Sequence, residues 1–256
     1  MSDQVHVTLD AGVLELALAR PEKKNALTSA MYVRLVEALD GAATDPAVRA
    51  VLLHGEGSTF TAGNDIGDFL AAATAGGDFR ELPVMRFLAH LAAAEKPLVA
   101  AVQGAAIGIG TTLLLHCDLV FVDEEAKLKA PFVDLALVPE AASSLLMPAR
   151  LGHPRAFALF ALGETLSGRE AAALGLANAA LPAAEVLPRA RAAAQALALR
   201  PKVALALTKR LMRDAAAIQQ VIEREAVAFA QQLTSAEARE ALTAFLERRR
   251  PDFTKL

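Results

Sequence analysis

The chain has 256 residues, which at roughly 150 residues per domain corresponds to one or two compact units. Hydrophobic residues make up 54% and charged residues 21%, a composition that supports a sizeable core and excludes a disordered chain. The 26 Lys plus Arg against 29 Asp plus Glu leave a net charge of −3, which provides no cationic surface for nucleic acid, and the single cysteine, Cys117, excludes a disulfide framework or a Cys-cluster zinc scaffold.

The opening MSDQVHVTLD has neither a basic head nor a long apolar run, so no secretory signal is visible and a cytoplasmic chain is expected. Val5 to Leu9 and Val13 to Leu18, separated by Asp10-Ala11-Gly12, read as a hairpin. From Thr28 to about Ala43, Met31, Leu35, Ala38 and Leu39 recur at helical spacing behind a Thr cap, and Gly41 with Asp45-Pro46 marks the stop. Val48 to Leu53 then reads as a strand, and Ala71 to Asp78, with Gly76-Gly77, as a flexible loop. Leu98 to Cys117 carries no charged residue and is long enough to span a bilayer. Its Gln103, Thr111, Thr112, His116 and three glycines instead predict a buried strand, a glycine turn and a buried helix, without membrane insertion. Leu119 to Val122 is a further strand, completing the alternation of an α/β core. After about Pro148 the pattern predicts helices only, over 155–162, 167–174, 185–199, 201–212, 218–233 and 235–249. The alanine clusters within them read as close helix packing. The terminal Thr254-Lys255-Leu256 lacks the leading Ser of a peroxisomal tripeptide, and the alanine-rich composition reads as bacterial.

Several chemistries are missing from the sequence. Gly108-Ile109-Gly110 follows a strand, but Leu113 stands where a dinucleotide fingerprint needs its third glycine. There is no phosphate loop, no Gly-x-Ser-x-Gly elbow and no His-Glu-x-x-His pair, and the five histidines are dispersed and read as structural. Two glycine-bearing turns remain, Phe60 to Ile66 and Gln103 to Gly110, each after a core strand. Glycine lets the backbone approach a ligand and present free amides. Two converging amides are the minimum for an oxyanion hole.

Arg20-Pro21 with Asn25-Ala26-Leu27, Phe60-x-Ala62-Gly63-x-Asp65-Ile66, Lys96 to Gly104, Cys117-Asp118 and the terminal Phe245 to Phe253 resemble, in order and nearly end to end, the enoyl-CoA hydratase/isomerase (crotonase) superfamily. The resemblance implies an α/β fold with a stacked, spiral ββα core over residues 1–195 and a C-terminal helical trimerisation region over 196–256. It implies an acyl-CoA thioester as substrate, no cofactor beyond the coenzyme A of that substrate, no metal, and a homotrimer or dimer of trimers. It also implies that the backbone N–H groups of Asn64 and Ile109 bind the thioester oxygen.

Hydratases of this superfamily use two glutamates to position and activate water. Here those positions align with Thr112 and Phe132, neither of which is a carboxylate base. The segment Ala130 to Ser144 is similar to the peroxisomal-type Δ3,Δ2-enoyl-CoA isomerases, whose single catalytic glutamate sits where Glu140 is, and Gly63-Asn64-Asp65 resembles that subgroup too. Read without the resemblance, Glu140 is an acidic residue at a helix start; its apolar neighbours Val138, Pro139, Ala141 and Ala142 predict a raised pKa. The resemblance implies CoA or substrate contacts for Lys23, Lys24, Ala62, Asp65, Ile66, Gly108, Phe132, Phe245 and Arg248, the last two matching positions that reach CoA from a neighbouring subunit. Leu82, Met85 and Leu88 are expected along an acyl tunnel, and Asp118 as a structural hydrogen-bond partner. A hydratase-like reaction, thioester hydrolysis and a non-catalytic binding protein stay open beside the isomerase.

Overall fold

The computed structural model describes residues 4–74, 78–247 and 249–255. Strands β1 (Val5–Asp10) and β2 (Val13–Leu18) form the expected antiparallel hairpin. Its two-residue connection has φ of 47° at Ala11 and 79° at Gly12, the double positive φ that matches the twist of paired strands. Thr28 caps α1 (Ser29–Thr44) by accepting from the Met31 N–H at 3.3 Å. The next strand, β3 (Ala50–Gly55), starts two residues later than the sequence predicts, because Asp45 to Val48 is spent on a turn closed by the Val48 N–H on the Asp45 carbonyl.

Helices α2 (Ile66–Thr74) and α3 (Pro83–Ala93) follow. The expected loop at 71–78 is therefore helical as far as Thr74, and its next three positions lie outside the described residues. The uncharged run resolves into β4 (Leu98–Val102), β5 (Ala105–Ile107), a single α turn α4 (Ile109–Thr112) and a 3₁₀ turn (Leu113–His116), in place of the one helix expected over 110–116. The chain tightens there because it must redirect into β6 (Leu119–Asp123) and β7 (Lys127–Lys129). The C-terminal part adds α5 (Ser143–Leu151), α6 (His153–Ala161), β8 (Thr165–Ser167), α7 (Gly168–Ala173), β9 (Ala179–Leu181), α8 (Ala183–Ala198), α9 (Lys202–Met212), α10 (Ala215–Leu233) and α11 (Ala236–Leu246). The helices-only expectation after Pro148 is thus corrected by β8 and β9, three-residue strands too short to carry a period-2 pattern.

Six strands form one sheet in the order β1-β2-β3-β4-β6-β9, parallel except for the hairpin, and β5, β7 and β8 form a second, smaller sheet. Successive turns of the chain place one strand in each sheet: β4 then β5, β6 then β7, β8 then β9. This is the stacked spiral expected of the crotonase-like core. Both faces of the central strands β3, β4 and β6 are covered, which is why these read as nearly continuous apolar runs. Leu16, Leu53, Ala100 and Val122 face the main core, whereas Leu52, Val99, Ala101 and Phe121 face the alanine-rich side of α8. Among the described residues, no helix is long and apolar enough to cross a membrane.

Asn25 ties two turns of the spiral together. It is fully buried with φ of 54°, donates from Nδ2 to the carbonyls of Glu56 (2.9 Å) and Thr59 (2.7 Å), and accepts from the Arg20 N–H at 2.8 Å. Replacing it by Ala leaves three backbone groups without these bonds. Asn25→Ala is expected to lower unfolding free energy by about 3 kcal/mol in urea titration; a loss below about 0.5 kcal/mol refutes this role.

Candidate active site

The first glycine turn is fixed by an almost complete use of its amides. The N–H groups of Phe60, Thr61, Ala62, Gly63 and Asp65 donate respectively to Gln103 O, Ala105 O, Lys24 O, Thr61 Oγ1 and Leu27 O. Within residues 60–65 the Asn64 N–H is the one amide with no acceptor among the described residues. The second turn is zipped to the first by a parallel bridge between Thr61 and Ala106. The two backbones approach so closely that a Cβ on Gly63 (φ +88°) would stand 2.7 Å from the Ile107 carbonyl oxygen. At Gly108, φ of 57° with ψ of −121° is a conformation that glycine alone adopts easily. The Ile109 N–H that follows is likewise without an acceptor among the described residues, as befits the first residue of a helix. Because α4 is one turn long, its free amide is the donor and a helix dipole adds little.

Glu140 comes from the other side, on the segment between β7 and α5. It precedes the helix start by three residues and does not belong to α5. The two residues after it, Ala141 and Ala142, both have positive φ, 61° and 54°, each costing a non-glycine residue about 1–2 kcal/mol. Three bonds from elsewhere hold this turn: His116 Nε2 lies 2.7 Å from Ala141 O, and the Glu225 carboxylate accepts from Ala142 N (2.6 Å) and Ser144 N (2.9 Å).

The Glu140 carboxyl accepts a hydrogen bond from the Thr112 hydroxyl on α4. Thr112 lies one turn from Ile109, so the bond brings the carboxyl to the helix that begins with the free amide. Glu140 also lines a cavity with Asn64, Met85, Leu88, Ile222 and Phe229. Burial pushes its carboxyl from the ordinary 4.5 up to about 8; the Thr112 hydrogen bond opposes the shift and the Glu225 charge adds to it. At the apolar end, Phe69, Phe79 and Phe229 form an aromatic cluster with ring centroids 5.6–6.4 Å apart. Tyr32 donates to Asn64 Oδ1 at 2.5 Å.

The structure therefore brings together Asn64, Thr112, Glu140, Met85 and Leu88, with Ile109 on the adjoining helix start. Leu82 borders the neighbouring cleft beside Asn64. Other expected contacts are placed differently. Phe132 is buried in the core against Phe160 and does not line this cavity. Asp65 accepts from Arg20 (2.8 Å) and from the Asp68 N–H (3.2 Å) at the start of α2, the structural turn role. Lys23 and Lys24 are exposed, the Lys24 carbonyl accepting from the Ala62 N–H, Ala62 and Ile66 are half-buried, Phe245 is exposed on α11, and Arg248 lies outside the described residues. Asp118 accepts from the Leu98 N–H and Lys209, as expected of a structural partner. Among the described residues, no group of three or more His, Cys, Asp or Glu forms a metal ligand set. Sequence reasoning missed Tyr32, His116 and Glu225. For Glu225 the signal was present, since an acid interrupts the apolar stripe Ile218, Val221, Ile222, Phe229.

Residues 8–255 match the family model described as enoyl-CoA hydratase/isomerase. A probable enoyl-CoA hydratase of Bacillus subtilis is 33% identical over 97% of this chain and 98% of its own. Enoyl-CoA delta isomerase 2 of Rattus norvegicus is 31% identical over 97% of this chain and 64% of its own. The solved structure of Pseudomonas aeruginosa OdaA superposes with a TM-score of 0.92 at 50% identity, over 96% of this chain and all of that one.

The raised Glu140 pKa has a measurable consequence for stability. The folded carboxyl keeps its proton to about 8, whereas the unfolded one releases it near 4.5; between these values the folded state binds more protons, so this group's contribution falls as pH rises through that window. Glu140→Gln, which carries no charge, is expected to melt higher than the wild type by a margin that is larger at pH 9 than at pH 5. A margin independent of pH contradicts the burial of this charge.

Proposed function

Because the chain belongs to the enoyl-CoA hydratase/isomerase family of acyl-CoA enzymes, we propose that it is a Δ3,Δ2-enoyl-CoA isomerase with Glu140 as its proton carrier. The observation that carries this reading is the hydrogen bond from Thr112 to Glu140. A threonine at the position of a hydratase's first glutamate serves the one remaining carboxylate instead of supplying a second.

A 3-enoyl thioester needs one proton removed and one returned. The Glu140 carboxylate takes the C2 proton, the electrons move into a dienolate whose oxygen is held by the Asn64 and Ile109 amides, and the carboxylic acid delivers the proton to C4. The double bond then lies between C2 and C3, and the carboxylate is restored. Loss of one such amide donor costs about 3 kcal/mol of transition-state stabilisation. A carboxyl held near 8 is a far stronger base than an exposed glutamate, and the apolar cavity keeps the dienolate from bulk water. The rat relative named as a delta isomerase supports the reading.

Relatives named hydratase favour a second reading, addition of water to a 2-enoyl-CoA. It requires a second acid or base, and Phe132 at the other hydratase position is packed in the core. Spectroscopic assay of a 3-enoyl-CoA beside a 2-enoyl-CoA separates the two. Isomerisation is expected, with kcat/KM rising about tenfold per pH unit below the base's pKa and levelling above about 8. Glu140→Gln is expected to lose kcat by about 10³-fold or more with acyl-CoA binding retained. An active Gln variant, or turnover of the 2-enoyl-CoA alone, refutes the assignment.

Thr112→Val provides a separate check. Its hydroxyl holds the Glu140 pKa down, so its loss is expected to move the rising limb of kcat/KM to higher pH and to reduce turnover at pH 7. An unmoved limb means that Thr112 does not contact the working base.

A further inference from the structure

We propose that Glu225, on α10, is a positioning residue for the base, holding the Glu140 turn from beneath while the same helix forms the wall of the acyl cavity. The inference rests on Glu140 being the base, and goes beyond that assignment by naming what sets its place.

The geometry is unusual for a helix start. Helix α5 begins at Ser143 behind Ala142, which has no side chain able to cap it. The cap arrives instead from a residue 81 to 83 positions away: both Glu225 oxygens are engaged, Oε2 by Ala142 N at 2.6 Å, and Oε1 by Ser144 N at 2.9 Å and Ser144 Oγ at 2.5 Å. All three partners are donors, which selects the ionised acceptor form of the carboxylate. Glu225 is only 8% exposed, and these donors are what favours its charged form there. Taking it out of water raises its pKa, against the three hydrogen bonds and Arg224, which favour the charge.

The opposite side of the turn is held by His116. With Arg213 Nη2 donating to Nδ1 at 2.5 Å, Nε2 is left to donate to Ala141 O at 2.7 Å. Burial and the nearby arginine push the His116 pKa down to about 3, so the ring is neutral in this arrangement. Two consecutive left-handed alanines therefore sit between an imidazole donor and a carboxylate acceptor, and Glu140 immediately precedes them. On the cavity side, Ile222, Ala226 and Phe229 lie one helical turn or less from Glu225. A single helix thus shapes the acyl wall and anchors the base.

The groups facing Glu140 are Thr112 from α4, Tyr32 from α1 and Glu225 from α10, with His116 behind the turn. Of these, the Glu225 charge raises the Glu140 pKa. Its removal is therefore expected to lower that pKa. The test is titration of the Glu140 carboxyl by ¹³C NMR on full-length protein carrying δ-¹³C-glutamate. The Glu140 signal is identified by its disappearance in Glu140→Gln, and the titration is repeated in Glu225→Gln.

This readout needs no turnover, so it judges the positioning role even if no enoyl-CoA proves to be a substrate. The expected result is a Glu140 titration moved to lower pH in Glu225→Gln. In the enoyl-CoA assay, kcat is expected to fall about tenfold or more while KM stays within about twofold, because a displaced base harms the proton-transfer geometry more than binding. If Glu225→Gln does not fold, Ser144→Ala, which removes one donor and no charge, replaces it. A shifted Glu140 carboxyl signal then supports the proposal. A Glu140 titration and signal identical to wild type in the folded variant tested overturns it.

Discussion

Removing the Glu140 carboxyl from water is unfavourable unless it is protonated or held by well-placed donors, and much of the site's architecture answers that constraint. The surroundings that raise its affinity for a proton are the aromatic and aliphatic side chains that line the cavity it shares with Asn64. Its one direct hydrogen-bond donor among the described contacts is Thr112. The turn that bears it is strained at two successive alanines and held by buried partners from the 3₁₀ turn before β6 and from α10. Basicity comes mainly from exclusion of solvent, with the Glu225 charge adding to it and the Thr112 hydrogen bond opposing it, whereas placement comes from a small network of polar contacts around a distorted backbone.

The opposing amides follow a different logic. The spiral joins β3 and β4 to their returning segments through two glycine turns, and the amides of the first are taken up by the Gln103, Ala105, Lys24 and Leu27 carbonyls and the Thr61 hydroxyl. What remains is the Asn64 amide, with the Ile109 amide at the neighbouring helix start. Such donors are fixed by sheet registration and need no side chain to adopt a rare conformation. They are in place before a ligand arrives, and preorganisation of this kind makes hydrogen bonds effective in stabilising developing charge.

The long, strongly periodic elements were legible in the sequence because each buries a continuous stripe or run, as in α1, β4 and α10. The three-residue strands β8 and β9 were not, since their pairing is decided by neighbours far along the chain. The same division holds for the site. Asn64, Ile109 and Glu140 are named from an ordered series of local motifs, whereas the packing of Phe132 against Phe160 is not legible there, because a motif position does not reveal which side of a backbone faces a cavity. Tyr32, His116 and Glu225 act on residues 25 to 83 positions away. Only an anomaly, an acid on a greasy helical face, pointed toward the last of them.

Helix α10 contributes Ile222 and Phe229 to the cavity and Glu225 to the turn carrying Glu140. Trimming Phe229 to widen the cavity also loosens the aromatic stack that fixes the helix against Phe69 and Phe79. Drift along that rod reaches the Glu140 turn through the Glu225 carboxylate. Cavity shape and the position of the Glu140 carboxyl are thereby mechanically linked, and a change to one must be re-adjusted in the other.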